Sequence, residues 1–334
     1  MSTHRSSLRR CIASSLGAAG LALLAGVGFA QTGAPSYPSR PVRIIVPNTA
    51  GSATDIATRL IATRLAESIG QQTVVDNRAG ASGAIGHEIT VSAQPDGYTL
   101  LVSTSAGLVL NPLLTKVSYD PVRDLTPISL LVMSPQLLFA TAGLPARNVD
   151  ELVALARAKP GQLNCASPGF GTSNHMGCEL LKTTTGVNFV HVPYKGTAPA
   201  ITDVVGGQVQ FMFNSLPPVL PLVRAGKVRA IGHGGTKRSP AAPEIPTIGE
   251  TLPGFQCSTW YALVAPRGVP PAIVKRLNAE IVKMFADASF AQRIADMGQE
   301  PQSSSPEELH AYMRAESTRW SQVIKKAGLT KLER

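Results

Sequence analysis

The 334-residue sequence is poor in aromatic residues (5%) and in charged ones (16%), and it holds only four cysteines. Low charge combined with 44% hydrophobic residues excludes intrinsic disorder. There is no Cys-x-x-Cys pair and no Cys/His spacing of metal-ligand type, so no metal site and no cofactor is expected. Gly-x-Ser-x-Gly and His-Glu-x-x-His are also missing, and with them the commonest marks of a hydrolytic enzyme. His87, His175, His191 and His233 have no carboxylate at motif spacing. Beyond residue 30 no run approaches the ~18 apolar residues of a membrane span. No basic run exceeds a pair such as Lys237-Arg238 or Lys325-Lys326. The net charge of +10 is therefore dispersed and does not mark a polyanion or a membrane surface. Nucleic acid is not an expected partner.

What is present begins with a leader. Residues 1–30 contain Arg5, Arg9 and Arg10 and no acid, then an uncharged stretch from Cys11 that ends in Gly28-Phe29-Ala30. A basic start, an apolar middle and small residues at the end read as a cleavable secretory signal, with cleavage expected after Ala30. No cysteine follows the cleavage point, so a lipid anchor is not indicated. Without the three leader arginines, 28 basic residues face 21 acidic ones, a net of +7. Three cysteines remain, Cys165, Cys178 and Cys257. Their odd number allows at most one intramolecular disulfide. Buried small hydrophobes are the expected role for all three.

Along the remaining chain, strand-like runs alternate with helical spacing. Val42–Val46 is β-branched and ends at Pro47. Thr54–Ile69 places Ile56, Leu60, Ile61, Leu65 and Ile69 on one helical face and stops at Gly70. Strands follow at 73–75 and 98–103, with a helix at 83–92 between them. Further strands are expected at 128–133, 137–141, 163–166, 189–192, 209–213, 228–231 and 259–264. Helices are expected at 148–159, 173–184, 197–205, 218–224, 271–286, 290–297 and 306–326. Ser305-Pro306-Glu307-Glu308 forms a capping box with proline at the first helical position. Such alternation argues for an α/β fold built on parallel sheets flanked by helices.

An exported α/β chain of this kind binds small solutes where strands hand over to helices. The Pro47–Asp55 loop carries Gly51, Ser52, Thr54 and Asp55. It reads either as a plain helix cap or as an anion site made of helix N–H groups. Ser103, Thr104 and Ser105 end the third strand, as an ordinary polar loop or as a pocket wall. Ser167–Asn174 is glycine-rich and includes Gly169, Gly171, Thr172 and Ser173; it lacks the third glycine of a dinucleotide loop and the Gly-Lys-Ser/Thr of a P-loop. His175 follows, structural or ligand-facing. Tyr194, Lys195 and Gly196 form the next such loop, and Asn214 ends a later strand. Together these loops predict a cleft that favours carboxylates.

The chain resembles the substrate-binding proteins of tripartite tricarboxylate transporters, the Bug family. The resemblance rests on Tyr37–Arg43, Pro47–Asp55, Asp76-Asn77-Arg78-Ala79-Gly80, Pro95–Leu100, Lys159–Leu163, His191–Gly196, Gly206–Gln210 and Lys237–Pro240, in order along nearly the whole exported chain. It implies a two-lobed periplasmic binding protein fold of type II character, each lobe a mostly parallel sheet flanked by helices, with the ligand cleft between lobes. It further implies a monomer that captures a small carboxylate, largely through backbone N–H groups, and hands it to membrane permease subunits. The expected lobes are 31–140, 141–258 and a return to the first lobe over 259–334, with crossings near Phe139–Thr141 and Cys257–Tyr261. Two departures from the family pattern stand out. Ser52 replaces the second of two adjacent glycines, and Asn48 replaces a bulky apolar residue. Asn214 occupies a position that is often Asp, which points to a di-, tri- or aromatic carboxylate without an amino group. The competing readings are an exported α/β hydrolase and a loaded receptor that addresses a membrane sensor instead of a permease.

Overall fold

The structure is a computed structural model and describes residues 37–331. The expected leader lies outside the described residues. In chain order the elements are β1 (Val42–Val46), α1 (Ala53–Ile69), β2 (Thr73–Asn77), α2 (Ala84–Val91), β3 (Thr99–Thr104), α3 (Asn111–Leu114), α4 (Pro121–Asp124), β4 (Leu125–Thr141) and α5 (Val149–Ala158). They continue as β5 (Asn164–Ser167), α6 (Ser173–Thr185), β6 (Val190–Pro193), α7 (Thr197–Val205), β7 (Phe211–Ser215), α8 (Leu216–Arg224) and β8 (Val228–His233). The chain closes with β9 (Ser258–Pro266), α9 (Pro271–Ala286), α10 (Ala288–Asp296), β10 (Glu300–Pro301) and α11 (Pro306–Lys326).

The strands join in the order β2-β1-β3-β9-β4-β7-β5-β6, with β8 and β10 attached to β4. Two parallel triplets result, β2-β1-β3 and β6-β5-β7. The antiparallel strands β9 and β4 link them, so the sheet as a whole is mixed. Central position explains composition: β1 is buried at Val42, Ile44, Ile45 and Val46, the near-continuous apolar run of a strand covered on both faces.

One long strand replaces the two expected at 128–133 and 137–141. Pro135 lies between the two expected runs, and proline cannot donate to a ladder. In the fold Pro135 sits where β4 changes partners. Leu125 to Pro135 pair with β9, and Gln136 to Thr141 pair with β7 and β8. Donation resumes at Gln136, whose N–H reaches the Cys257 carbonyl at 2.9 Å.

The first helix departs from expectation in its facing. Ala57, Ile61, Ala62, Leu65 and Ile69 are buried, whereas Ile56 is 50% exposed. Gly70 ends the helix in a left-handed conformation (φ 70°) and returns its N–H to the Ala66 carbonyl. Cys165 of β5 and Cys178 of α6 form a disulfide, the one intramolecular bridge that three cysteines allow, and both are buried as expected. Cys257 fits that expectation. It is buried, and desolvation pushes its thiol up to about 12.

At the carboxyl end α11 packs over the sheet. The buried Glu316 Oε2 accepts the indole N–H groups of Trp260 (3.3 Å) and Trp320 (3.1 Å), and Arg319 pairs with Oε1 at 3.0 Å. Glu316→Ala strands two buried donors at once. We expect a loss of about 2 kcal/mol in urea unfolding, with altered tryptophan emission. An unchanged midpoint would show that the indoles find other acceptors.

Candidate functional site

The first strand-to-helix loop is knotted by its own carboxylate. Asp55 is buried and accepts the Gly51 N–H (2.8 Å), the Asn77 side-chain amide (3.0 Å) and the Arg59 guanidinium (3.0 Å). Burial alone would raise its pKa. The hydrogen bonds from Arg59, Gly51 and Asn77, with the Arg59 charge, outweigh that and hold the carboxyl below its ordinary value. Ser52 caps α1 by accepting the Asp55 N–H at 3.2 Å, and its own N–H goes to the Thr49 carbonyl. Gly51 takes a positive φ of 77°. Thr54 is buried.

Between β2 and α2, the Gly83 N–H bonds the Gly80 carbonyl at 2.8 Å. Below this loop His87 is fully buried and stacked on Tyr119 at 4.7 Å. Its Nδ1 lies 2.9 Å from the Gly83 carbonyl, which can only accept, so Nδ1 carries the proton. Nε2 then accepts the Ser103 hydroxyl at 2.7 Å. Burial pushes this imidazole down to about 4, so it is neutral at pH 7. Ser105, two residues on, reaches across to the second lobe, with its Oγ 3.2 Å from that of Ser173.

In the second lobe, the Ser167–Thr172 loop is held by its own interior. The Gly169 N–H goes to Ser167 Oγ (3.2 Å) and the Gly171 N–H to His175 Nδ1 (3.2 Å). Thr172 caps α6 by accepting the His175 N–H, and its hydroxyl donates to the Gly169 carbonyl. The Met176 N–H takes the Thr172 carbonyl. Helix geometry gives the N–H groups of Ser173 and Asn174 no acceptor within α6. His175 is buried, and desolvation with the nearby His191 and Lys182 pushes it down to about 3. In the adjoining loop the Gly196 N–H bonds the Pro168 carbonyl at 3.0 Å. The Tyr194 hydroxyl donates to Asp203 at 2.7 Å, and burial followed by that partner raises it to about 12.

A cleft of about 790 Å³ lies between these loops, lined from both parallel triplets. Of the residues expected from sequence, Thr104, Gly169, Gly171, Thr172, Lys195 and Gly196 line it. Ser103 and His175 lie beneath as supports, Ser105 and Ser173 meet each other, and Gly51, Ser52, Thr54, Asp55, Tyr194 and Asn214 form the surrounding frame. Sequence reasoning missed Asn48 and Thr49, Ala79–Ala81, Gly83, His87, Asn111 and Phe170 as lining residues. The glycines of the β2–α2 loop were the available signal, being a third strand-to-helix turn; His87 and Asn111 carried none. Lys195 is the one charged side chain among the described lining residues. Another cavity, about 720 Å³, opens between α9 and α11 and mixes Lys275 with Glu307 away from the strand ends.

Behind the cleft a buried amide network ties the second lobe to the strand crossing. Asn174 Nδ2 reaches Gln136 Oε1 (3.1 Å), the Phe213 carbonyl (2.8 Å) and Asn214 Oδ1 (3.2 Å), and Gln136 Nε2 bonds Thr259 at 2.5 Å. Asn214 Oδ1 also accepts the Ser215 N–H, whereas its buried Nδ2 has no partner in the protein.

Residues 57–329 match the model of the tripartite tricarboxylate transporter family receptors, TctC. The chain is 38% identical over 312 residues to the UPF0065 protein of the tcbD-tcbE intergenic region of Pseudomonas sp. strain P51, covering 90% of this chain and 93% of that one. It is 35% identical to BugT of Bordetella pertussis, covering 90% and 93%. Among solved structures, Rpa4515 of R. palustris with adipate superposes at a TM-score of 0.82 and 37% identity, over 89% of this chain and all of that one. MatC of Rhodopseudomonas palustris with bound malate gives 0.76 and 34%, over 86% and 100%. The periplasmic binding protein BugD gives 0.78 and 34%, over 89% and 100%. These are solute-binding receptors rather than enzymes, and the two-lobed fold is theirs. The chain belongs to the TctC family of tripartite tricarboxylate transporter receptors.

Proposed function

We propose that this protein is a periplasmic receptor that captures a small di-, tri- or aromatic carboxylate and delivers it, as a monomer, to the permease subunits of a tripartite transporter. The observation that carries the reading is the lining of the strand-end cleft. It has one cation, no acid, and hydroxyl, amide and backbone groups from both lobes. Relatives of the same fold hold adipate and malate. The glycine amides of Gly51, Gly169, Gly171 and Gly196 are occupied internally, so the carboxylate is placed in this reading at the start of α6, where Thr172 lines the cleft and the N–H groups of Ser173 and Asn174 just behind it have no acceptor within the helix. Export through a leader cleaved after Ala30 belongs to the same reading. So does the division into lobes at 31–140, 141–258 and 259–334, with the first crossing moved back to Pro135–Gln136, where β4 changes partners. Closure around ligand is then a hinge motion at that point and at the second crossing, Cys257–Tyr261.

Ser173→Pro tests the assignment. Thr172 is extended (φ −76°, ψ 157°), which tolerates a following proline, and proline is at home in the first helical position. The substitution therefore removes one N–H and little else of the backbone. Calorimetry with adipate, malate and benzoate should show binding at least ~10-fold weaker than wild type, against less than ~3-fold for Ser173→Ala and Lys195→Ala. The opposite order would place the anion on side-chain charge. Asn214 has its oxygen occupied and offers only a donor, so an ammonium group finds no acceptor there. Tighter binding of aspartate than of malate would count against this part of the reading.

A further inference from the structure

Two histidines lie under the second-lobe loop, and neither lines the cleft. His175 stands on the first turn of α6 and His191 on β6, beside Cys165 in register. Their rings stack at 4.0 Å with 26° between planes, and Phe170 packs on His175 at 4.8 Å. Each imidazole holds one stitch of the loop. His175 Nδ1 accepts the Gly171 N–H, and His191 Nε2 lies 2.7 Å from Ser167 Oγ, which takes the Gly169 N–H. Two successive glycine amides are thus drawn inward. Phe170, between them, faces the cleft, and α6 begins with its uncapped N–H groups beyond them.

We propose that the stacked His175–His191 pair is the positioning device of this loop: in the neutral form it takes the Gly169 and Gly171 amides out of competition and so fixes which groups meet the ligand. This rests on the carboxylate-receptor reading. Neutrality follows from the arrangement. An imidazolium at Nδ1 could not accept the Gly171 N–H, and two cations stacked at 4.0 Å would repel. The charged groups facing the pair are Glu179, whose Oε1 is 3.7 Å from His175 Nε2, and Lys182, which is paired with that same Glu179 at 3.0 Å. Burial keeps His191, like His175, well below its usual range.

The test exploits a chemical near-match. Asparagine places an oxygen close to where Nδ1 sits, whereas leucine fills the space without an acceptor. Calorimetric Kd values for adipate, malate and benzoate are compared for wild type, His175→Asn and His175→Leu, together with amide hydrogen exchange at Gly171. His175→Leu should raise Kd and speed Gly171 exchange at least ~10-fold, and His175→Asn should return both to within ~3-fold of wild type. Equal damage from Asn and Leu, or wild-type binding and protection in Leu, overturns the proposal. If His175→Leu does not fold, His191→Gln against His191→Leu gives the same comparison, read at Gly169. Should wild type bind none of the three acids, the receptor reading fails, and amide exchange alone still decides the histidine geometry.

Discussion

Gly234→Ala is expected to cost about 3 kcal/mol or more, at the upper end of what overpacking does. An added Cβ would stand 2.2 Å from the Cys257 carbonyl oxygen and 2.9 Å from its carbon. Both are backbone atoms, so no rotamer change relieves the clash. The backbone there is also fixed by a closed circuit of three hydrogen bonds. Gly234 N–H donates to Gln136 O (2.8 Å), Gln136 N–H to Cys257 O (2.9 Å), and Cys257 N–H to Gly234 O (2.9 Å). That circuit holds the point at which β4 leaves β9 for β7 and β8, so displacing one member pushes on both halves of the sheet. Urea unfolding and soluble yield measure the effect. Gly143→Ala, where an added Cβ meets nothing within 4 Å, serves as the control and should change little. A loss below about 1 kcal/mol at Gly234 would mean that the crossing can shift to make room.

Asp55→Ala should be nearly as costly, about 3 kcal/mol, because it removes the acceptor of three donors in a buried setting. Half of the Arg59 side chain is open to water, which keeps the figure at the low end of the range for broken buried pairs. The loss should carry a pH signature. The folded carboxyl is held below its ordinary value of 3.8, so its contribution is complete above that value and disappears as the pH falls through the folded one. The gap between wild type and variant is therefore flat from about pH 5 to 8 and narrows below about pH 4. Carboxylate affinity should fall at least ~10-fold as well, since the Pro47–Ser52 loop loses the group that folds it back. A pH-independent gap would indicate that packing, not the charge, is what Asp55 supplies.

Much of the architecture was legible where one residue type dominates the local decision. Val42–Val46, Thr197–Val205, Pro271–Ala286 and Pro306–Lys326 fall where the apolar spacing and the capping residues put them. Ends set by pairing were less so. Expected at 209–213, β7 runs over 211–215, because its partner residues on β4 start at Gln136. Pro135 sits at a junction, which only the presence of two alternative partners makes possible. Residues 300–301 pair with β4 through a contact more than 160 positions away, and no local pattern announces it.

The candidate site divides in the same way. That strand-to-helix loops would carry it was readable from glycine, serine and threonine at the ends of apolar runs. Which atoms face the cleft was not. Asp55, His175 and Tyr194 look like binding groups by type, but each spends its polar atoms on the loop that bears it or on a neighbouring helix. The reverse holds for Ala79, Gly80 and Phe170, which have no polar side chain and line the cleft.

The Cys165–Cys178 bond spans the stem of the same loop, enclosing Ser167 through His175. By chain-entropy reasoning a ring of this size is worth about 3 kcal/mol. Disulfides form and persist in oxidising compartments, so under the proposed export this brace closes only after translocation.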